Sequence, residues 1–202
     1  FRNNRTLSQA NSYGALYHAQ SPIRVENTTF TENRSGSSAG AIYLDRTENA
    51  TLVNCTFYDN HATGPDGFGG AVFVPTDSRV TIQNCTFAGN SAWSGPAIAT
   101  PPPPSTSSIY NSILVDNETT DTDTATGNDC NHTLAGSCNV QWREGGGPPA
   151  VSCTANSLFE NPFTAPPENN GGNVPTMAIT SSASPAINLC EDPCPARDAR
   201  SE

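Results

Sequence analysis

Hydrophobic residues along this chain come in short runs that alternate with polar ones, as in Val80-Thr81-Ile82 and Thr51-Leu52-Val53, each bounded by Gly, Asn, Asp or Pro. A period of two predicts half-buried strands, whereas no stretch of ten or more residues carries the 3.6 period of a helix. The runs also recur. Asn84-Cys85-Thr86-Phe87-Ala88-Gly89-Asn90 is preceded by Asn54-Cys55-Thr56-Phe57-Tyr58-Asp59-Asn60 and by Asn27-Thr28-Thr29-Phe30-Thr31-Glu32-Asn33. It is followed by Asn111-Ser112-Ile113-Leu114-Val115-Asp116-Asn117 and Asn156-Ser157-Leu158-Phe159-Glu160-Asn161, and Phe1-Arg2-Asn3-Asn4 has the form of one more tail. Phe1, Phe30, Phe57, Phe87 and Leu114 stand 29, 27, 30 and 27 residues apart, and the closing Asn4, Asn33, Asn60, Asn90 and Asn117 repeat those spacings. Between them fall Gly14-Ala15-Leu16, Gly40-Ala41-Ile42, Gly70-Ala71-Val72 and Pro96-Ala97-Ile98.

A repeat of this length made of strands and turns predicts a solenoid of parallel β coils, in which each strand pairs with its equivalent one rung away and like residues form columns. The expected fold is all-β, with about five to six coils. Phe30, Phe57, Phe87, Leu114 and Phe159 are expected to stack as an inward spine. A second inward column is read as Ile23, Leu52, Ile82 and Ile109, and a third as Leu16, Ile42, Val72 and Ile98. Asn27, Asn54, Asn84, Asn111 and Asn156 fall where two strands meet at an angle. Asn tolerates left-handed backbone there, and its amides can bond along a ladder. The Gly column suits a tight bend or close backbone approach. The expected division is coils over 1–117, a Cys-containing insertion over 118–155, and a last coil with an irregular disulfide-bearing cap over 156–202, all one continuous domain.

Composition narrows the setting. Sixteen Gly and seventeen Pro favour turns, and nine basic residues against nineteen acidic ones give a net charge of −10. With no lysine and no basic patch, the chain lacks the electrostatic footprint of a nucleic-acid binder. No apolar run reaches the roughly 18 to 20 residues of a membrane-spanning helix, so no membrane insertion by this segment is expected. A chain that opens on Phe1 reads as processed or trimmed. Seven cysteines and Asn-x-Ser/Thr acceptors at Asn4, Asn33, Asn49, Asn117 and Asn131 suit an oxidising, extracellular or cell-surface location and a glycoprotein. Cys190 and Cys194 read as a clasp. Of Cys130, Cys138 and Cys153 two can pair and one is left over, with Cys130–Cys153 the expected bridge. Cys55 and Cys85 share an inward column with Thr28, Ser112 and Ser157, where a disulfide and two buried thiols are both open readings.

The pairing of Phe57-Tyr58-Asp59-Asn60 with Gly69-Gly70-Ala71-Val72 resembles the repeats of the polymorphic outer membrane protein family, over roughly residues 1–117. Asp129-Cys130, Asn170-Gly171-Gly172, Ser184-Pro185-Ala186-Ile187 and Cys194-Pro195-Ala196 resemble the closing part of choice-of-anchor Q surface proteins. These resemblances imply a right-handed parallel β-helix, a surface and often adhesive role, and a buried cysteine pair near the end.

Parallel β-helices also carry polysaccharide lyases and hydrolases, so catalysis has to be read from residues rather than fold. A hydrolase needs two or three converging carboxylates. The recurrent acidic positions Glu32, Asp59 and Asp116 are interrupted by Gly89, and His18, His61 and His132 show no ligand spacing. No catalytic residue, metal site or cofactor is therefore expected. The expectation is a non-enzymatic surface scaffold or adhesin module that self-associates end to end into filaments, with copies of itself, other surface proteins or glycans as partners. The enzyme alternative is a polysaccharide-binding or lyase/hydrolase-like β-helix. A third reading is an ice-binding solenoid, from the outward threonines Thr29, Thr56 and Thr86. Local function is expected in the irregular connectors Arg5–Tyr13, Arg34–Ala39, His61–Gly69 and Ser91–Gly95 and in the stretch Glu118–Cys153.

Overall fold

The computed structural model describes residues 1–102, 106–120, 128–171, 173–187 and 189. Its strands are short and pair in parallel with their equivalents one coil away, and no helix occurs among the described residues. Four sheets run the length of the solenoid, two of four strands and two of five. The first is β1 (Leu16–Ala19), β5 (Ile42–Asp45), β9 (Val72–Phe73) and β13 (Ile98–Ala99). The second contains β2 (Ile23–Glu26), β6 (Ala50–Val53), β10 (Val80–Gln83), β14 (Ser108–Tyr110) and β17 (Ala135–Ser137). The third contains β3 (Thr29–Thr31), β7 (Thr56–Tyr58), β11 (Thr86–Ala88), β15 (Ile113–Val115) and β18 (Val140–Trp142). The fourth contains β4 (Arg34–Ser35), β8 (His61–Ala62), β12 (Ser91–Ala92) and β16 (Glu118–Thr119). About four full turns result, fewer than the five to six coils expected.

Strict register makes the columns. Thr29-Phe30-Thr31 lies on Thr56-Phe57-Tyr58, then on Thr86-Phe87-Ala88 and Ile113-Leu114-Val115. Phe30, Phe57 and Phe87 are fully buried, with ring centroids 5.1 and 4.7 Å apart and planes within 5° of parallel. Leu114 continues this spine, but the next inward residue is Gln141. Phe159 is 36% exposed at the end of the column and leaves the core spine. In the second sheet Val25, not Ile23, pairs with Leu52, because the strand begins two residues earlier than its apolar pattern suggests. Leu16, Ile42, Val72 and Ile98 are in register as expected.

Two left-handed corners close each coil. Asn27, Asn54, Asn84 and Asn111 have φ of 47, 54, 52 and 48°, the conformation asparagine tolerates best. At the next corner Glu32, Asp59, Gly89 and Asp116 have φ of 59, 53, 62 and 51°, so the column that looked acidic is a turn position. Asn156 departs from the first set: it is exposed in a turn, and Cys138 (φ 62°) takes the corresponding corner. The reason is that β17 and β18, within the stretch expected as an insertion, belong to another coil, and the segment at Leu158 pairs with Val140 above it.

The expected ladder is present at its first rung, where Asn54 Nδ2 donates to Asn27 Oδ1 (3.1 Å), and a second, continuous amide ladder runs through the closing asparagines. Nδ2 of Asn33 donates to Oδ1 of Asn60 (2.8 Å), Asn60 to Asn90 (2.9 Å) and Asn90 to Asn117 (2.8 Å). Each Oδ1 also accepts the main-chain N–H of the asparagine below, and each second Nδ2 hydrogen reaches the carbonyl of a spine residue, such as Asn90 to Phe57 (3.1 Å). All four polar demands of a buried amide are thus met inside the core. The ladder ends on a carboxylate, Asn117 Nδ2 donating to Asp129 Oδ1 (2.7 Å).

Along the coil edge, a Cβ on Gly14, Gly40 or Gly70 would come within 1.9 to 2.4 Å of a carbonyl oxygen of the next rung. No side chain fits there. Pro96 keeps its place in this column without distorting it, because only its carbonyl faces Gly70.

The C-terminal stretch folds back outside the solenoid. Thr164 pairs antiparallel with Ile179 and Glu168 with Thr176, and Thr29 Oγ1 donates to the Pro175 carbonyl (2.5 Å). This strap covers two of the three outward threonines, leaving Thr29 6% and Thr56 5% exposed, while Thr86 is half-buried. The rank of free outward threonines on which the ice-binding reading rests is thus reduced to Thr86. Cys130 and Cys153 form a disulfide, Cys55 and Cys85 are buried thiols, and Cys138 is also disulfide-bonded. The expected Cys190–Cys194 clasp lies outside the described residues.

Candidate functional site: an aromatic strip beside a charged edge

Strand alternation in the first sheet turns Leu16, Ile42 and Val72 inward and their neighbours outward. Those neighbours are Tyr17, Tyr43 and Phe73, which lie in register on consecutive rungs. Three connectors add an aromatic each. Tyr13 meets Tyr43 at a tilt of 47° (4.1 Å between centroids) and stacks against Tyr17 (5.2 Å), and Tyr17 stacks 5.5 Å from Tyr43. Tyr43 meets Phe73 edge-on at 5.2 Å, Phe73 meets Phe68 at 5.6 Å, and Phe68 meets Trp93 at 5.6 Å. Six rings therefore form one unbroken outer strip. Tyr17 is 48% exposed and the other five are half-buried, so the strip is a solvent-facing surface rather than a second core.

Polar groups flank it at one end. Tyr17 donates to Asp45 Oδ2 (2.8 Å), and Arg46 Nη2 pairs with the same oxygen (3.0 Å). The Arg46 and Tyr17 hydrogen bonds hold the Asp45 carboxyl below its ordinary range. Burial, with Tyr13 beside it, pushes Tyr43 up to about 12, so its hydroxyl stays a donor.

On the adjoining fourth sheet the outward column is Arg34, His61, Ser91 and Glu118. The acidic corner residues sit beside it and are paired: Glu32 with Arg2 (2.9 Å), and Asp59 with His61 (2.6 Å) and with Arg34 (3.8 Å). An arginine thus stands against each of these two carboxylates. His61 also meets Ser91, Nδ1 to Oγ, at 2.5 Å. Sequence reading missed this contact because it joins residues thirty apart. The signal was present in the repeat spacing, which places Ser91 one rung from His61.

Beyond the last full rung, Asp129 is buried at the floor of a cavity of about 80 Å³ bounded by Gln141, Trp142, Arg143 and Phe159. Gln141 Nε2 donates to its second oxygen (2.8 Å), and Gln141 Oε1 accepts the Cys153 N–H (2.9 Å). Burial outweighs these donors and raises the Asp129 carboxyl to about 6.

The sequons divide by position. Asn33 and Asn117 are ladder members, 0% and 1% exposed, with their amide nitrogens engaged in the core, which removes them as glycan acceptors in the folded chain. Asn131 binds Thr100 through both its side-chain atoms. Asn4 and Asn49 are exposed. Among the described residues no group of three or more His, Cys, Asp or Glu is placed to hold a metal ion.

No curated protein and no solved structure matches the chain. A family model described as "Right handed beta helix region" matches residues 1–161, the whole stretch from the first spine phenylalanine to the last bridge on the coils. The chain belongs to the right-handed β-helix family.

Proposed function

We propose that this is a recognition module of a secreted or surface-exposed protein, whose rigid solenoid presents the aromatic strip to a carbohydrate chain. The observation that carries the reading is the strip itself. Six rings from six separate positions are gathered on one outer face, although nothing in the core requires them there. Aromatic rings offer apolar faces to the C–H surfaces of sugars, and tyrosine hydroxyls with Asp45 and Arg46 at the margin offer donors and acceptors to hydroxyl groups. Rungs about 4.8 Å apart make the strip linear, which suits an extended polymer lying along the axis.

The resemblance to surface proteins of the polymorphic outer membrane protein and choice-of-anchor Q types agrees with this role. So does the Cys130–Cys153 disulfide, since such bridges persist in oxidising compartments. No described helix is long and apolar enough to cross a membrane. The reading is of binding rather than glycosidic cleavage, because Asp45, the carboxylate at the strip, is held by Arg46 and Tyr17. A glycan microarray probed with the wild-type chain and with Tyr17→Ala/Tyr43→Ala tests it. Retention of a defined glycan class by the wild type alone supports the proposal, whereas equal signals from both proteins overturn it.

A further inference from the structure

Two contacts on the charged edge form one continuous chain: Asp59 Oδ1 to His61 Nε2 at 2.6 Å, then His61 Nδ1 to Ser91 Oγ at 2.5 Å. We propose that Asp59, His61 and Ser91 are a nucleophilic relay in which Ser91 Oγ takes an acyl group from a small carboxylic ester. This goes beyond the binding role above and does not depend on it.

The fold sets the three positions. Asp59 occupies the left-handed corner (φ 53°), close enough for its carboxylate to meet the ring two residues later. His61 and Ser91 are register partners of β8 and β12, so ring and hydroxyl are brought together one rung apart. A carboxylate on Nε2 keeps the proton there and leaves the Nδ1 lone pair facing the serine. Relative to serine proteases the two ring nitrogens are exchanged, but the roles of nucleophile, base and orienting carboxylate are kept. Arg34 Nη2 lies 3.8 Å from the other Asp59 oxygen. The Ser91 hydroxyl makes no other hydrogen bond among the described residues, which separates it from serines such as Ser35 and Ser112 that are tied to main-chain carbonyls. His61 is half-buried, and burial pushes it below its ordinary range, so the ring is a neutral base at pH 7. The charged groups around it are Asp59 and Arg34, with Glu118 and its partner Arg143 on the far side of Ser91.

In the forward step the Ser91 Oγ–H proton passes to His61 Nδ1 as Oγ bonds to the ester carbonyl carbon. The ester C–O bond then breaks and the departing alcohol takes that proton. Water, deprotonated by the same nitrogen, hydrolyses the acyl-serine and restores the hydroxyl.

The test uses the whole chain with a fluorophosphonate and with p-nitrophenyl acetate, read by intact mass and peptide mapping. Thermal melts confirm that each variant is folded. The expected result is a single adduct on Ser91, lost in Ser91→Ala. His61→Gln keeps hydrogen-bonding atoms beside both neighbours but supplies no base, and should slow labelling about 100-fold or more. Asp59→Asn should slow it less and move its pH profile. Absence of a Ser91 adduct in the folded wild type, or equal labelling of His61→Gln, would overturn the proposal.

Discussion

Replacing Asn90 by alanine isolates what the amide ladder contributes. The side chain makes four hydrogen bonds: its Oδ1 accepts from Asn60 N–H (3.0 Å) and Asn60 Nδ2 (2.9 Å), and its Nδ2 donates to the Phe57 carbonyl (3.1 Å) and to Asn117 Oδ1 (2.8 Å). Asn60, Phe57 and Asn90 are all 0% exposed, so water does not replace the lost partners. At about 1 to 1.5 kcal/mol for each buried bond, the loss is roughly 4 to 6 kcal/mol. That is a large share of the roughly 5 to 15 kcal/mol that stabilises an ordinary domain. It corresponds to a fall in melting temperature of about 10 to 20 °C for a chain of this size. Far-ultraviolet dichroism during heating and urea titration measures it. Asn49→Ala, at an exposed asparagine, serves as the comparison and should stay within about 0.5 kcal/mol of wild type. An Asn90→Ala protein within about 1 kcal/mol of wild type would refute the ladder as a stabilising element.

Further outcomes follow from the same geometry. Asp129 is raised by burial from 3.8 to about 6 in the folded chain, so the folded state binds its proton more tightly than the unfolded state does. Its ionisation therefore costs stability as pH rises from about 4 to about 6, by roughly 3 kcal/mol in full. The melting-temperature difference between wild type and Asp129→Asn should change across that window and flatten above it, and a constant difference would contradict this. Cys55 and Cys85, each 1% exposed, should resist alkylation in the native chain and react on unfolding, as read by peptide mass mapping. Modification of Cys55 at the native rate of a surface thiol would count against the packing described. Removing the Cys130–Cys153 bridge, which closes a loop of 23 residues, with a double serine variant should cost about 3 kcal/mol in urea titration.

The fold was legible because a β-helix writes its rungs into the sequence. Phe30, Phe57 and Phe87 recur at the coil length, and each aliphatic column repeats with them. The errors have a common origin. Each coil carries two asparagines, and pattern alone does not show that the buried, continuous ladder is that of Asn33, Asn60, Asn90 and Asn117, while the column of Asn27, Asn54, Asn84 and Asn111 forms the left-handed corner and carries an amide contact from Asn54 to Asn27. The coil of β17 and β18 is hidden in the sequence because Gln141 replaces an apolar spine residue, held by Asp129 and the Cys153 N–H, and Cys138 replaces the corner asparagine. Only a three-dimensional network satisfies those substitutions. The site was partly legible: the variable connectors were expected to carry recognition, and Tyr13, Phe68 and Trp93 do come from them. Their union with Tyr17, Tyr43 and Phe73 follows from register across rungs, which no local pattern displays.

The strip is the center of the functional account, and affinity electrophoresis through gels containing the polysaccharide class found on the array tests it most directly. Wild type should be retarded, Tyr17→Ala/Tyr43→Ala should run as in an empty gel, and Phe163→Ala, which removes a 40% exposed ring away from the strip, should be retarded as wild type is. Equal retardation of all three proteins would contradict recognition through the aromatic strip.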